Sequence, residues 1–305
     1  MVVETPIPGL HLVHTGIEPC PHFISTYIVD TGKALIVVDP GPTTRYSNVK
    51  RALEELGNGC KEVVVVLTHI HIDHASATHN LVKDYGAKVY VHPRGAKHLA
   101  NPERLWRASL EVLRDEALAI GRPGPVPRDA IIKTSDGECV DIGGERLCFI
   151  HTPGHAPHHQ ALYLPREHLL FPGDAGGGYV PEVDAVIPVS PPRIRLVMYL
   201  DSLVKLLKVG ALFIAYAHTG VVESSKRTLQ RHGAQVLRWI RVLSRCGTRC
   251  TVKDVVEADP EAQRVYKGNV CTRFRVSIER SFEAFRIALG EEQGLSLEAY
   301  TPYFT

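Results

Sequence analysis

The sequence predicts an α/β chain of two packed β-sheets with helices outside them. Two observations carry this. Short apolar strands outnumber helices, and the two are mixed along the first two-thirds of the chain. One segment, Val63-Val64-Val65-Val66-Leu67, is β-branched and apolar throughout, as a strand buried on both faces must be. In order, 10–13, 27–29 and 35–38 read as strands, the last stopped by the turn signal Asp39-Pro40-Gly41. A helix over 45–56 ends at Gly57, and the valine strand is followed by a helix at 77–85 and a strand at 88–91. A helical insertion then spans about 93–131. It is opened by Asn101 as N-cap with Pro102 at the first position, and Trp106, Leu110, Leu113, Ala117 and Ile120 lie on one face until the Pro/Gly-rich run 121–127. Further strands are expected at 147–150, 161–164, 169–171 and 212–215, with a helix at 196–207. From about residue 222 the pattern is helical to the end. The expected organisation is therefore a sandwich domain over 1–221 and a helical C-terminal segment over 222–305.

Bulk properties narrow the function class. The 305 residues are 44% hydrophobic and 22% charged with a formal net charge of +2, which gives no reason to invoke a nucleic-acid or anionic-membrane partner. No stretch approaches the roughly 20 apolar residues that span a bilayer, and the N-terminal residues do not read as a signal peptide. Seven cysteines without framework spacing fit a reducing cytoplasm. Cys246 is near enough in sequence to pair with Cys250, and either could take Cys271, a point that matters for a hyperthermophile. Few Asn, Gln and Met residues lean toward a thermophilic source.

The strongest chemical signal is Thr68-His69-Ile70-His71-Ile72-Asp73-His74, directly after the valine strand. Alternate residues of an extended segment point the same way, so His69 and His71 can reach one ion. Asp73 and His74, past the bend, can face a second. Further candidates stand just beyond later strands: His155 after 147–150, Asp174 after 169–171 and His218 after 212–215. Loops at strand ends present functional groups on a rigid scaffold.

With Asp39 placed ahead of them, these motifs stand in the order found in the metallo-β-lactamase superfamily, which residues 10–220 resemble. The resemblance implies an αβ/βα sandwich carrying two divalent metal ions. His69, His71 and His155 would bind one ion and Asp73, His74 and His218 the other, with Asp174 bridging. Asp39 and His159 would lie outside the ligand set, Asp39 holding a ligand histidine by hydrogen bond. The bridging aspartate and the Asp73-His74 pair resemble the hydroxyacylglutathione hydrolase (glyoxalase II) and lactonase branches rather than the true β-lactamases. Ala75-Ser76-Ala77 departs from the Ala-Gly-Gly of that branch.

Two such ions lower the pKa of a shared water and polarise the oxygen under attack. The expected function is thus hydrolysis of a small ester, thioester or lactone by a metal-bridging hydroxide, with Asp73 and Asp174 as the catalytic carboxylates. Tyr179 and His158 are candidate substrate contacts. Zinc is the default for a histidine-rich site, and iron and manganese also suit bridging carboxylates. Phosphodiester or RNA cleavage and a mononuclear-iron persulfide dioxygenase are the alternatives on the same fold. Arg227, Arg231, Arg238, Arg241 and Arg245 form a stripe opposite Leu229, Val236, Ile240 and Leu243, which reads as a solvated helix face rather than an RNA-binding strip. The amphipathic helix around Phe274, Ile278 and Phe282 reads as core or as an interface between subunits.

Overall fold

In the computed structural model, which describes residues 2–292 and 296–304, the chain forms fifteen strands and eleven α-helices among those residues. It divides into two compact units, residues 1–151 with 162–167, and residues 152–161 with 168–305. The fold class is the αβ/βα sandwich, with helical insertions and a helical C-terminal segment.

The first unit is led by a seven-stranded sheet in simple chain order. It comprises β1 (Val2–Glu4), β2 (Leu10–His14), β3 (Ser25–Asp30), β4 (Ala34–Val38), β5 (Glu62–Val66), β6 (Lys88–Val91) and β7 (Ile131–Lys133). The first four are antiparallel, with residues 15–24 and their 3-10 turn connecting β2 to β3, whereas β4 to β7 run parallel. Parallel neighbours need crossovers. These are α1 (Tyr46–Glu55), then α2 (Ile72–Ala75) with α3 (Thr78–Tyr85), then α4 (Pro93–Ala100), α5 (Glu103–Leu113) and α6 (Asp115–Ile120). Leu35, Val37, Leu53, Val65 and Val89 are buried together where α1 and α3 cover the sheet. The hairpin β8 (Cys139–Ile142) and β9 (Glu145–His151) is closed by a Cys139–Cys148 disulfide between directly opposed residues.

A six-stranded sheet runs in the order β15-β14-β11-β10-β9-β8. Its remaining strands are β10 (Gln160–Leu164), β11 (Leu169–Phe171), β14 (Phe213–Ala215) and β15 (Val221–Glu223), and a separate ribbon pairs β12 (Gly178–Val180) with β13 (Ala185–Ile187). In the second unit β11 and β14 are parallel, with α7 (Leu196–Val209) between them in sequence. The same unit holds α8 (Ser225–Cys246), α9 (Val252–Ala258), α10 (Pro260–Lys267) and α11 (Thr272–Glu291). Of these, α8, α10 and α11 pack on α7 or β13, and α9 packs on its fellow helices.

Several expectations are corrected. The apolar face 106–120 does not continue through one helix, because Arg114 at φ +52° breaks it into α5 and α6. Cys246 pairs with Cys250, so the cysteines cannot be read as a set of reduced thiols. The arginine stripe on α8 is not simply solvated. Arg231 binds Glu261 at 2.7 Å and Asp184 at 2.8 Å, and Arg238 binds the buried Asp259 at 3.1 Å. Two of its five positive charges are thereby consumed within the unit. The core alternative for α11 holds, with Phe274, Ile278 and Phe282 buried in the unit's own core. No described helix is long and apolar enough to cross a membrane.

Candidate metal centre

The first unit carries four of the seven expected ligands beyond the carboxyl end of β5, beside Asp39 at the end of β4. Those strands are parallel with Val38 opposite Val66, so Asp39 and the residues following Val66 emerge side by side. Asp39 sits at φ +48°, a left-handed conformation that Asp and Asn tolerate better than most residues. Its buried carboxylate accepts three donors: Thr68 N at 2.8 Å, Thr68 Oγ1 at 2.6 Å and His74 Nδ1 at 3.0 Å.

These bonds order the protons. Thr68 gives its hydroxyl proton to Asp39, so Thr68 Oγ1 accepts from His69 Nδ1 at 3.1 Å. His69 and His74 are both thereby held with the proton on Nδ1, leaving Nε2 as a lone-pair donor. His69 Nε2 lies 3.0 Å from His71 Nδ1, and His74 Nε2 lies 3.6 Å from Asp73 Oδ2. His71 is the N-cap residue of α2, and Asp73 and His74 occupy its short body. Ser76, where the glyoxalase II branch has Gly, accepts from Thr43 N at 2.8 Å and so ties α2 to the loop after Asp39. Ile72 packs with Ile17, Ala117 and Ile120, bordered by half-buried Leu105, Trp106, Leu110 and Leu113. The insertion therefore rests on the helix that carries Asp73 and His74.

The second unit carries the other three. His155 follows Gly154, and its Nδ1 donates to Val189 O at 3.0 Å, which again leaves Nε2 unprotonated. Asp174 lies in a 3-10 turn after β11, and His218 follows β14, the parallel neighbour of β11. Asp174 presents one oxygen to each histidine: Oδ2 is 3.4 Å from His155 Nε2, and Oδ1 is 3.4 Å from His218 Nε2. His159 is fully buried. Its Nε2 accepts from Ala175 N at 3.4 Å and its Nδ1 donates to Thr152 Oγ1 at 2.7 Å, pinning the turn that holds Asp174.

Tyr179, the candidate substrate contact, is held by its neighbours. Its hydroxyl donates to Asp184 at 3.1 Å, its ring stacks on Tyr216 at 5.9 Å, and burial with Asp184 beside it pushes its pKa up. Its amide donates to His218 O at 2.6 Å, so what it supplies to the site is a hold on the His218 loop. His158 is half-buried in the turn between His155 and His159. Sequence reading missed Thr68 as a proton relay, although it stands inside the histidine motif, and it missed the Val189 carbonyl, which no side-chain pattern reveals.

All seven expected ligands, and Asp39, belong to clusters of three or more donors whose ligand atoms lie within 4.8 Å of one another. The spacings suit a metal. Two donors about 2.0–2.1 Å from a tetrahedral centre stand about 3.4 Å apart, against 3.0 to 3.6 Å for the donor pairs here. Three imidazoles are also locked in the tautomer that leaves Nε2 unprotonated. The donor set fits divalent cations.

Comparison with known proteins agrees with this chemistry. The family model of the metallo-beta-lactamase superfamily matches residues 21–218. The chain belongs to that superfamily. It is 31% identical over 236 residues to the metallo-beta-lactamase fold-containing protein ST1585 of Sulfurisphaera tokodaii, covering 76% of this chain and 85% of that one. The crystal structure of ST1585 superimposes with a TM-score of 0.71 at 25% identity, over 94% of this chain and all of the other. The metallo-beta-lactamase family protein TTHA1429 of Thermus thermophilus shares the fold at a TM-score of 0.66 and 22% identity, over 94% of this chain and 95% of its own. This superfamily member is a metal-dependent hydrolase with a dinuclear metal-binding motif.

Proposed function

We propose that the protein hydrolyses a small ester, thioester or lactone with two divalent metal ions, zinc by default. His69, His71 and His155 would hold one ion and Asp73, His74 and His218 the other, with Asp174 shared between them. The observation that carries this reading is the Asp174 carboxylate, which turns one oxygen toward His155 and the other toward His218 at equal distances of 3.4 Å. A carboxylate serving one ion has no need of that arrangement. When bound, two such ions supply an activated water at neutral pH and stabilise charge on the oxygen under attack. Asp39 fixes the tautomers of His69 and His74 so that both Nε2 atoms would offer their lone pairs to a cation. Asp73 is partly exposed and passes a proton to the leaving group. A small substrate is favoured over RNA because Arg231 and Arg238, which would anchor a phosphate-binding strip, are engaged with carboxylates.

The test is metal analysis of protein purified without added metal, followed by ester, thioester, lactone and phosphodiester panels. Two ions per chain with acyl-ester or lactone turnover is the expected result. One iron with oxygen uptake on a persulfide, or turnover confined to phosphodiesters, would overturn the reading.

A further inference from the structure

The C-terminal helical segment sends a buried polar column toward Asp174. At its far end Asp259, wholly buried, accepts from Trp239 Nε1 at 2.8 Å, Arg238 at 3.1 Å and Gln235 Nε2 at 2.7 Å. Gln235 Nε2 also donates to Val186 O at 3.0 Å, so its carbonyl oxygen faces His232 Nδ1, 3.2 Å away. His232 Nδ1–H donates there, and His232 Nε2 is left to accept from the Tyr199 hydroxyl at 2.7 Å. The one hydroxyl proton is shared between His232 Nε2 and the main-chain carbonyl of Asp174, 3.0 Å away, in a three-centre hydrogen bond. Tyr199, His232, Gln235 and Asp259 are all completely buried.

Burying four polar side chains costs desolvation that Phe and Leu of similar volume would avoid. A fully partnered column can instead fix the position of what it ends on. This one ends on the backbone of the bridging aspartate. Close packing at two glycines reinforces the contact. A Cβ at Gly177, which is at φ +72°, would come within 2.7 Å of His232 Cε1, so that glycine lets the ring approach the Asp174 turn. A Cβ at Gly154, at φ +132°, would come within 2.5 Å of Tyr199 Cα, so the first turn of α7 also abuts the residue before His155. Ser202 Oγ donates to Pro153 O at 2.6 Å and Arg195 N to Gly154 O at 2.9 Å, holding the same loop. Tyr199 therefore touches the turns of both His155 and Asp174.

We infer that Tyr199 and His232 are positioning residues for the metal centre: the hydroxyl, oriented by His232, sets the Asp174 turn against the His155 loop and thereby the spacing of the two ligands. This rests on the two-metal reading of the same site and assigns the C-terminal segment a part in metal binding.

The test uses the full chain, stripped of metal and titrated with Zn2+ and separately with Co2+, whose visible absorption reports the ligand field. Tyr199→Phe keeps the ring and removes the hydroxyl. His232→Leu removes the acceptor, and His232→Gln keeps a hydrogen-bonding group within reach of it. The expected result is that Tyr199→Phe and His232→Leu weaken Zn2+ binding about tenfold or more and change the Co2+ spectrum, while His232→Gln recovers part of the affinity. Folded Tyr199→Phe and His232→Leu proteins with wild-type affinity and spectrum would overturn the inference. So would a Gln variant no better than Leu, since packing alone would then explain the loss. If Tyr199→Phe does not fold, the His232 pair decides. A wild-type protein that takes up one ion sinks the two-metal reading, and the variants' affinity for that ion still decides this inference.

Discussion

Asp39→Asn isolates the proton order of the centre. Asn tolerates the φ of +48° at this position, so the backbone has no reason to move. The side chain keeps one acceptor, which serves Thr68 N. The other oxygen, which now accepts from Thr68 Oγ1 at 2.6 Å and His74 Nδ1 at 3.0 Å, becomes an NH2 group facing two donors. Both must reverse. Thr68 accepts from the amide and turns its proton on His69 Nδ1, and His74 accepts at Nδ1. Each ring then carries its proton on Nε2, where a cation would sit. The two histidines are assigned to different ions, so each ion should lose affinity. Partners of this kind are worth about 10–100-fold, or about 1.4–2.7 kcal/mol per ion. Competition with a chromophoric chelator gives both dissociation constants, and initial rates give the activity. Both constants should rise while two ions still bind at saturating metal and turnover stays measurable. Wild-type constants for both ions would refute the proton order, and a change confined to the ion assigned to His74 would refute the relay through Thr68.

Asp174→Ala should reduce metal stoichiometry and hydrolysis together, because one carboxylate serves both ions. Two ions retained at near-normal rates would show that it is not the bridge. Burial holds His232 down to about 4 against 6.5 in the unfolded chain, so unfolded protein takes up this proton first as pH falls. The contribution is complete above pH 6.5 and is lost progressively toward pH 4, on the order of 3 kcal/mol. Urea midpoints of metal-free protein should fall across that window and fall less in His232→Gln. Leu53→Ala, in the core under α1, should cost about 2–5 kcal/mol in urea unfolding and leave metal stoichiometry at two. Trp106→Ala should raise KM for esters with long apolar acyl groups more than for acetyl esters, since the half-buried ring borders the cluster around Ile72. Equal KM changes across the series would remove the insertion from the substrate pocket.

Several features were legible in the sequence because they are local. The valine strand announces itself by composition, and β5 is buried along nearly its whole length. The histidine motif places its donors within a few bonds of that strand's end, where no distant part of the chain is needed to make the chemistry recognisable. Strand ends also marked His155, Asp174 and His218, since each stands just past an apolar run. Helix continuity was less legible. The apolar face 106–120 keeps helical periodicity across Arg114, but periodicity carries no information about the one backbone angle that breaks it.

Sequence by itself determined the family, the donor types and their order along the chain. Only the tertiary structure decided which nitrogen of each imidazole carries the proton, because that depends on partners distant in sequence: Asp39 for His74, Val189 O for His155 and Asp39 through Thr68 for His69. It also decided that the arginines of α8 are held by Asp184, Glu261 and Asp259, and that His232, an isolated histidine in the sequence, meets Tyr199 beneath Asp174. A side chain's chemical type is fixed locally. Its proton, its charge partner and the ligand it steadies are fixed by groups that only folding brings within about 3 Å.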